Sequence, residues 1–195
     1  MTSPTRPPEG VRTLTEARAL AALAHPFRQR IMDALAVNGP STASALAART
    51  GQAVGSASHH LKVLSEAGLV VEAPELAKDR RERWWRPATP GMRWNKADLR
   101  DDPAAYASAL EAEMLQVRRQ AARLEDWLEN AASAPEWEQA AFATQFWLTL
   151  SPAELTEVAA EVMAVYARWR TRDVPDDGVE RESVIVWARG FPSQP

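Results

Sequence analysis

Ser58-His59-His60-Leu61-Lys62-Val63-Leu64-Ser65-Glu66-Ala67-Gly68-Leu69-Val70-Val71 joins a helical apolar period, a glycine stop and a β-branched run. Ala57, Leu61 and Leu64 recur at helical period, so a helix over 54–67 has one apolar face, while Ser56, His59 and Lys62 lie on the other. Gly68 supplies the stop, since glycine enters the left-handed conformation of a helix C-terminus without a Cβ penalty. Leu69-Val70-Val71 then has the β-branched character of a strand, and Trp84-Trp85 to Pro87 reads as a second. Between them lies Lys78-Asp79-Arg80-Arg81-Glu82-Arg83, a charged loop that closes two short strands.

Upstream, Ser41 or Thr42 can cap a short helix with Ala45, Leu46 and Ala48 inside, stopped by Gly51. Asn38-Gly39-Pro40 ends an earlier helix that starts at Pro26 and buries Phe27, Ile31, Ala34 and Leu35. Before it, Thr13 and Glu16 have capping-box spacing ahead of a stripe formed by Ala17, Leu20, Ala21 and Ala24. Residues 1–12, with Pro4, Pro7, Pro8 and Gly10, read as a disordered tail.

A short helix, a turn of small residues (Gly51, Ala53, Gly55), a second helix and a charged hairpin follow the order of a winged helix-turn-helix with a two-stranded β-wing. In that arrangement the second helix enters the major groove, where Ser56, Ser58, His59 and Lys62 offer donors and acceptors to base edges and phosphates. Thr42 and Gln52 are grouped with them as DNA-binding candidates. In the wing, 74–83, Lys78, Arg80, Arg81 and Arg83 would lie against phosphates or in the minor groove. Alone, such a basic run equally describes a solvated loop; the order of the parts makes the difference. His60 falls nearer the buried side, a structural position.

The segment Ser58 to Leu64, continuing through Glu66-Ala67-Gly68-Leu69-Val70, resembles the recognition-helix signature of ArsR-type winged-helix transcriptional regulators. Leu23-Ala24-His25-Pro26-Phe27-Arg28-Gln29-Arg30-Ile31 resembles the same family's entry into its second helix. The resemblance covers about residues 13–90 and implies a homodimer that binds an inverted-repeat operator, most often as a repressor. By it, Ser56, Ser58, His59 and Lys62 match groove-facing positions, and Arg80 and Arg81 match the wing. Val54 and Gly55 depart from it, standing where many relatives have polar residues that touch bases. So does the sensing chemistry: relatives hold metals with Cys pairs or Asp/His sets, whereas this chain has no Cys and its three histidines are His25, His59 and His60. The carboxylates Glu111, Glu113, Glu125 and Glu129 read as a solvated helix face, and no metal or other cofactor is expected.

The 195 residues, 46% hydrophobic and 25% charged, exclude collagen-like and wholly disordered architectures. Without cysteine there is neither a disulfide framework nor a thiolate nucleophile, which fits a reducing cytoplasm, and no apolar run suggests a membrane span or signal peptide. Arg outnumbers Lys by 20 to 3, read mainly as codon bias. The net charge of −3 is uneven: residues 1–90 carry 12 Arg/Lys against 8 Asp/Glu, net +4, and the remainder 11 against 18, net −7. The positive surplus lies with the helix-turn-helix and wing, as a polyanion partner requires.

Asp102-Pro103 can open a long helix reaching about Ala132, with Tyr106, Leu110, Met114, Val117, Ala121, Leu124 and Leu128 near heptad spacing. Tyr106, Leu110, Val117, Leu124 and Leu128, with Leu20 of the first helix, are the expected dimer contacts; packing within the chain is the other reading of the same stripe. Beyond Pro135, Ser151-Pro152-Ala153-Glu154 opens a further helix, and Val184-Ile185-Val186-Trp187-Ala188 reads as a terminal strand. Trp147 to Leu155 and the late Phe191-Pro192 resemble the extension of an Ala/Arg-rich branch of these regulators. Trp137, Phe142, Phe146, Trp147 and Trp169 are either core or the lining of a pocket for a small apolar effector.

The expectation is therefore a mainly α protein: a tail at 1–12, a winged helix-turn-helix at 13–90, and at 91–195 a long dimerisation helix with a helical extension ending in a short strand. Its expected partners are double-stranded DNA, a second copy and an apolar effector. Competing functions are a winged-helix module for protein–protein contact and the dimerisation domain of a methyltransferase-like enzyme. The latter needs a Gly-rich dinucleotide-type loop, and after Pro90 only Gly91, Gly178 and Gly190 occur. No Ser/His/Asp nucleophile set is present, so no enzyme is expected.

Overall fold

A computed structural model describes residues 11–79 and 82–194. The chain divides into two units, one spanning Glu9–Ala140 and a second containing Ala141–Pro195.

In the first unit, α1 (Ala17–Leu23), α2 (Pro26–Asn38), α3 (Ala43–Thr50) and α4 (Val54–Glu66) surround one apolar core. Both ends of α2 and the start of α3 have local causes. His25 caps α2 by accepting the Phe27 N–H on Nδ1 at 3.1 Å, with Pro26 in the first turn, and Gly39 at φ +74° ends it. Of the two caps open to α3, Thr42 serves, accepting the Ala45 N–H at 3.2 Å. Leu20, Ile31, Leu35, Leu46, Leu61, Leu64, Leu69 and Val70 meet inside, each at most 1% exposed. Each such side chain contributes about 1.5–3 kcal/mol over its exposed state.

The wing gains a strand over the expected pair. β2 (Ser41–Thr42), β4 (Trp84–Pro87) and β3 (Val70–Glu72) form an antiparallel sheet in that order, with Ser41 opposite Trp85 and Val71 opposite Arg86. A second pairing corrects the tail expected over 1–12. β1 (Val11–Thr13) runs parallel to β5 (Gly91–Arg93), and Arg12 donates to the Gly68 carbonyl at 2.7 Å. Val11 and Arg12 thus belong to the folded unit, and residues 1–10 lie outside the described residues. With Thr13 in β1, its hydroxyl accepts from Arg93 instead of closing a box with Glu16, whose carboxylate takes the Arg12 guanidinium and the Thr15 N–H.

The long helix α5 (Pro103–Asn130) belongs to the same unit. Asp102 caps it with Oδ1 accepting from Ala104 and Ala105 at 3.0 Å. Ala105, Ala109 and Ala112 are completely buried, and these small side chains bring α5 close against α1. Gln29 of α2 donates to the Ala112 carbonyl at 3.2 Å, and Arg119 and Arg123 converge on Asp33 Oδ2. The boundary expected at Pro90 therefore crosses a continuous packing unit. Leu20, expected at the dimer surface, is corrected by the same packing: it is 0% exposed, enclosed within its own chain. A short helix α6 (Pro135–Ala140) closes the unit.

In the second unit, α7 (Pro152–Thr171) has the expected capping box: Ser151 Oγ accepts from the Glu154 N–H at 3.3 Å, and Glu154 Oε2 accepts from the Ser151 N–H at 2.7 Å. No residue of α7 is buried. Val184–Ala188, expected as a strand, is irregular; a strand exists only through its ladder, and among the described residues no segment pairs with it. Among the described residues, no helix is long and apolar enough to cross a membrane.

Candidate nucleic-acid interface

The helix pair meets at Gly51, whose φ of +65° is the left-handed turn that ends α3. Gln52 follows, its N–H bonded to the Ala47 carbonyl at 3.0 Å, and α4 begins two residues later. Ala53 in the cap position has no side-chain acceptor for the first N–H groups of α4. Val54, 48% exposed, and Gly55, whose missing Cβ would meet nothing within 4 Å, leave this end of the helix smooth. On the inner face Ala57, Leu61 and Leu64 are fully buried, which by helical geometry turns Ser58, His59 and Lys62 outward.

An open cleft of about 1030 Å³ runs along that outer face between the start of α3, α4 and the wing. Of the sequence-derived DNA-binding residues it brings together Thr42, Ser58, His59, Lys62 and Arg83. Ser56 is half-buried and does not line it; Gln52 and Lys78 are exposed outside its lining. Arg80 and Arg81 lie outside the described residues.

The charge of the cleft is mixed, which the sequence reading missed. Glu66, Glu72, Asp79 and Glu82 line it beside the cations. Glu66 pairs with Arg18 of α1 at 2.8 Å and meets Lys62 Nζ at 4.0 Å, and Arg83 lies 3.7 Å from Glu72. Glu82 organises the base of the wing loop: its carboxylate accepts the Lys78 N–H at 2.9 Å, a bond that holds it below the usual carboxylate range, and its own N–H donates to Asp79 at 3.1 Å. Ser44, in the first turn of α3, also lines the cleft, and no motif of the sequence marks it. Lys62 and Glu66 are one turn apart on α4, and Asp79 and Glu82 share one loop; the tertiary fold is what brings Glu72 and that loop beside α4.

Behind α4 the three histidines form a cluster. His60 lies 4.6 Å from His25, 4.8 Å from Phe27 in edge-on contact, and 5.2 Å from His59, between ring centroids. Burial, then electrostatic repulsion of a positive charge by His25, Arg28 and His59, pushes His60 below the ordinary imidazole range. Burial, then Arg28, Arg30 and His59, does the same for His25. His60 therefore joins the back of α4 to the start of α2, while His59 faces the cleft.

On α5, Tyr106, Leu110, Val117 and Leu124 are 39–43% exposed and Leu128 is 67% exposed, on the side away from the buried alanines. The apolar spacing of this helix therefore serves two faces: alanines inward, larger side chains outward. Of the aromatics expected around an effector, Phe142, Phe146, Trp147 and Trp169 are 60–78% exposed in the second unit, and Trp137 lies in the first, on α6. Large aromatics make a binding site only when other elements wall them in. Among the described residues there is no group of three or more His, Asp or Glu arranged to hold a metal ion.

The short helix pair, its tight turn and the antiparallel sheet beside it define a winged helix-turn-helix protein. Residues 23–73 match the model of a helix-turn-helix domain family. Two solved structures from Mycobacterium bovis are similar to the chain. One is a crystal structure of a possible transcriptional regulatory protein (fragment 1-100), at 26% identity over 53% of this chain and 89% of that one, with a TM-score of 0.34. The other is a solution structure of a homodimeric winged helix-turn-helix DNA-binding domain, described as a possible ArsR-family transcriptional regulator, at 23% identity over 59% and 82%, with a TM-score of 0.33. No curated protein matches the sequence.

Proposed function

We propose that this protein is a homodimeric, sequence-specific DNA-binding transcriptional regulator of ArsR type, acting as a repressor at an inverted-repeat operator. The observation that supports this most is the shared face of α3, α4 and the wing. Ser58, His59 and Lys62 point outward along one cleft flanked by the wing, the disposition that lets a recognition helix reach base edges while the wing follows the backbone. Lys62 supplies a phosphate or guanine contact, Ser58 and His59 short donors and acceptors, and Arg80, Arg81 and Arg83 wing cations. A second copy joins along the outer face of α5 through Tyr106, Leu110, Val117, Leu124 and Leu128, giving two recognition helices for two half-sites. The protein performs no catalysis in this reading, and its site is in the cytoplasm.

A second reading, a winged-helix module for protein–protein contact, draws on the carboxylates of Glu66, Glu72, Asp79 and Glu82 in the same cleft. Binding to DNA from the promoter of the protein's own operon, measured against random DNA over a range of salt, separates the two. The regulator binds the promoter preferentially, weakens steeply as salt rises because neutralised phosphates release counterions, and weakens further in Lys62→Ala and Arg81→Ala. Equal, weak binding to both DNAs favours the protein-contact module.

A further inference from the structure

α7 is a 20-residue helix with no buried side chain, although a helix of this kind draws most of its stability from packing an apolar face. Leu155, Val158, Val162, Val165 and Trp169 follow one another at intervals of 3, 4, 3 and 4 residues, the strict spacing of a two-helix seam. The end nearest Trp169 is open, with Val165 45% and Trp169 60% exposed. The other end is occupied: a Cβ added to Gly190 would sit 2.9 Å from Leu155 Cδ1.

Charge along α7 is segregated. Glu154, Glu157 and Glu161 occupy its first half, and Arg168 and Arg170 its last turns; Arg172 follows, its guanidinium 4.9 Å above the Trp169 ring. Two such helices side by side in parallel would set like charge against like. Antiparallel, they set acid against base and oppose their macrodipoles. We propose that this face of α7 binds the same face of α7 in a second copy of the chain, antiparallel.

The charges also select a register. With Val162 opposite Val165 and Val158 opposite Trp169 of the second copy, each Glu161 flanks an Arg168 across the seam. Sliding the helices by one layer to bring Leu155 into the seam would place Glu161 against Glu161, and it would use the end where Gly190 already approaches and Glu154 is engaged with Ser151. The pairing depends neither on the α5 seam nor on DNA, so it stands or falls separately from the proposed function.

The chain has no cysteine, so introduced thiols report without background. Full-length Val158→Cys and Trp169→Cys proteins are purified separately, mixed and mildly oxidised, with helicity checked by circular dichroism. The antiparallel seam predicts a mixed 158–169 disulfide exceeding either homodisulfide by about tenfold, since only that pair comes within the roughly 7 Å Cα separation a disulfide tolerates. Arg168→Glu in both proteins should lower the mixed product, and adding Glu161→Arg should restore it. Dominant homodisulfides would mean parallel pairing and overturn the proposal. So would the absence of cross-links in folded protein, or preferential cross-linking of Val158→Cys to a Leu124→Cys protein.

Discussion

The units Glu9–Ala140 and Ala141–Pro195 both carry amphipathic helices, yet they use them differently. In the first, Leu20, Ile31, Leu61 and Leu64 disappear into one core, and polar contacts such as Gln29 to Ala112 and Asp33 to Arg119 tie the long helix to it. In the second, Val165, Trp169, Ile185 and Phe191 remain 45–70% exposed. Helical period alone therefore states that a face is apolar; what covers it depends on whether other elements of the same unit converge there.

Substitutions at equivalent apolar positions should separate the two regions most sharply. Leu64→Ala empties a fully buried site and is expected to destabilise the first unit by about 2–5 kcal/mol in urea denaturation, whereas Val165→Ala should change that transition by less than about 0.5 kcal/mol. Comparable losses from both would erase the contrast. Asp33→Ala removes the carboxylate shared by Arg119 and Arg123 and leaves the largely covered Arg119 guanidinium without it; because Asp33 itself is about half exposed, a loss of about 1 kcal/mol is expected. Gly51→Ala should cost about 1 kcal/mol through its left-handed backbone alone, as the added Cβ meets no atom within 4 Å. A Gly51→Asn variant, which tolerates that conformation better, should recover part of the loss.

The histidine cluster gives a smaller, pH-dependent effect confined to the first unit. His25 and His60 have folded-state pKa values below the ordinary 6.5, so the unfolded chain binds more protons. Stability contributed by the neutral imidazoles is present above about pH 6.5 and is lost as pH falls from there through their lower folded values. Stability measured from pH 8 to 5 should decline over that interval, less steeply in His60→Gln. An unchanged slope in that variant would remove His60 from the account.

Much of the first unit was legible because its signals are local. Pro26, Gly51, Gly68 and the Ala57-Leu61-Leu64 spacing set helix ends and faces within a turn or two of sequence. Thr13, Leu20 and the strand Val11–Thr13 were misread because their partners, Arg93 and α5, are about 80 or more residues away, and a three-residue strand carries almost no period of its own. On α4 the outward positions of Ser58, His59 and Lys62 were legible because they follow from the buried ones, whereas Ser56 is half-buried and does not line the cleft. The carboxylates that share the cleft were not legible, because Glu66, Glu72 and Glu82 meet only after the wing folds back. Val184–Ala188 has strand composition without a ladder partner, and composition cannot supply one.

Whether α4 and the wing are the DNA-binding face is read by backbone amide chemical-shift mapping on addition of operator-length promoter DNA. Perturbations are expected to concentrate at 54–62 and across the wing strands, with Ser58, His59 and Lys62 among the largest and with α7 unaffected. Shifts centred on the outer face of α5 or on 141–194, with 54–62 unchanged, would contradict that assignment.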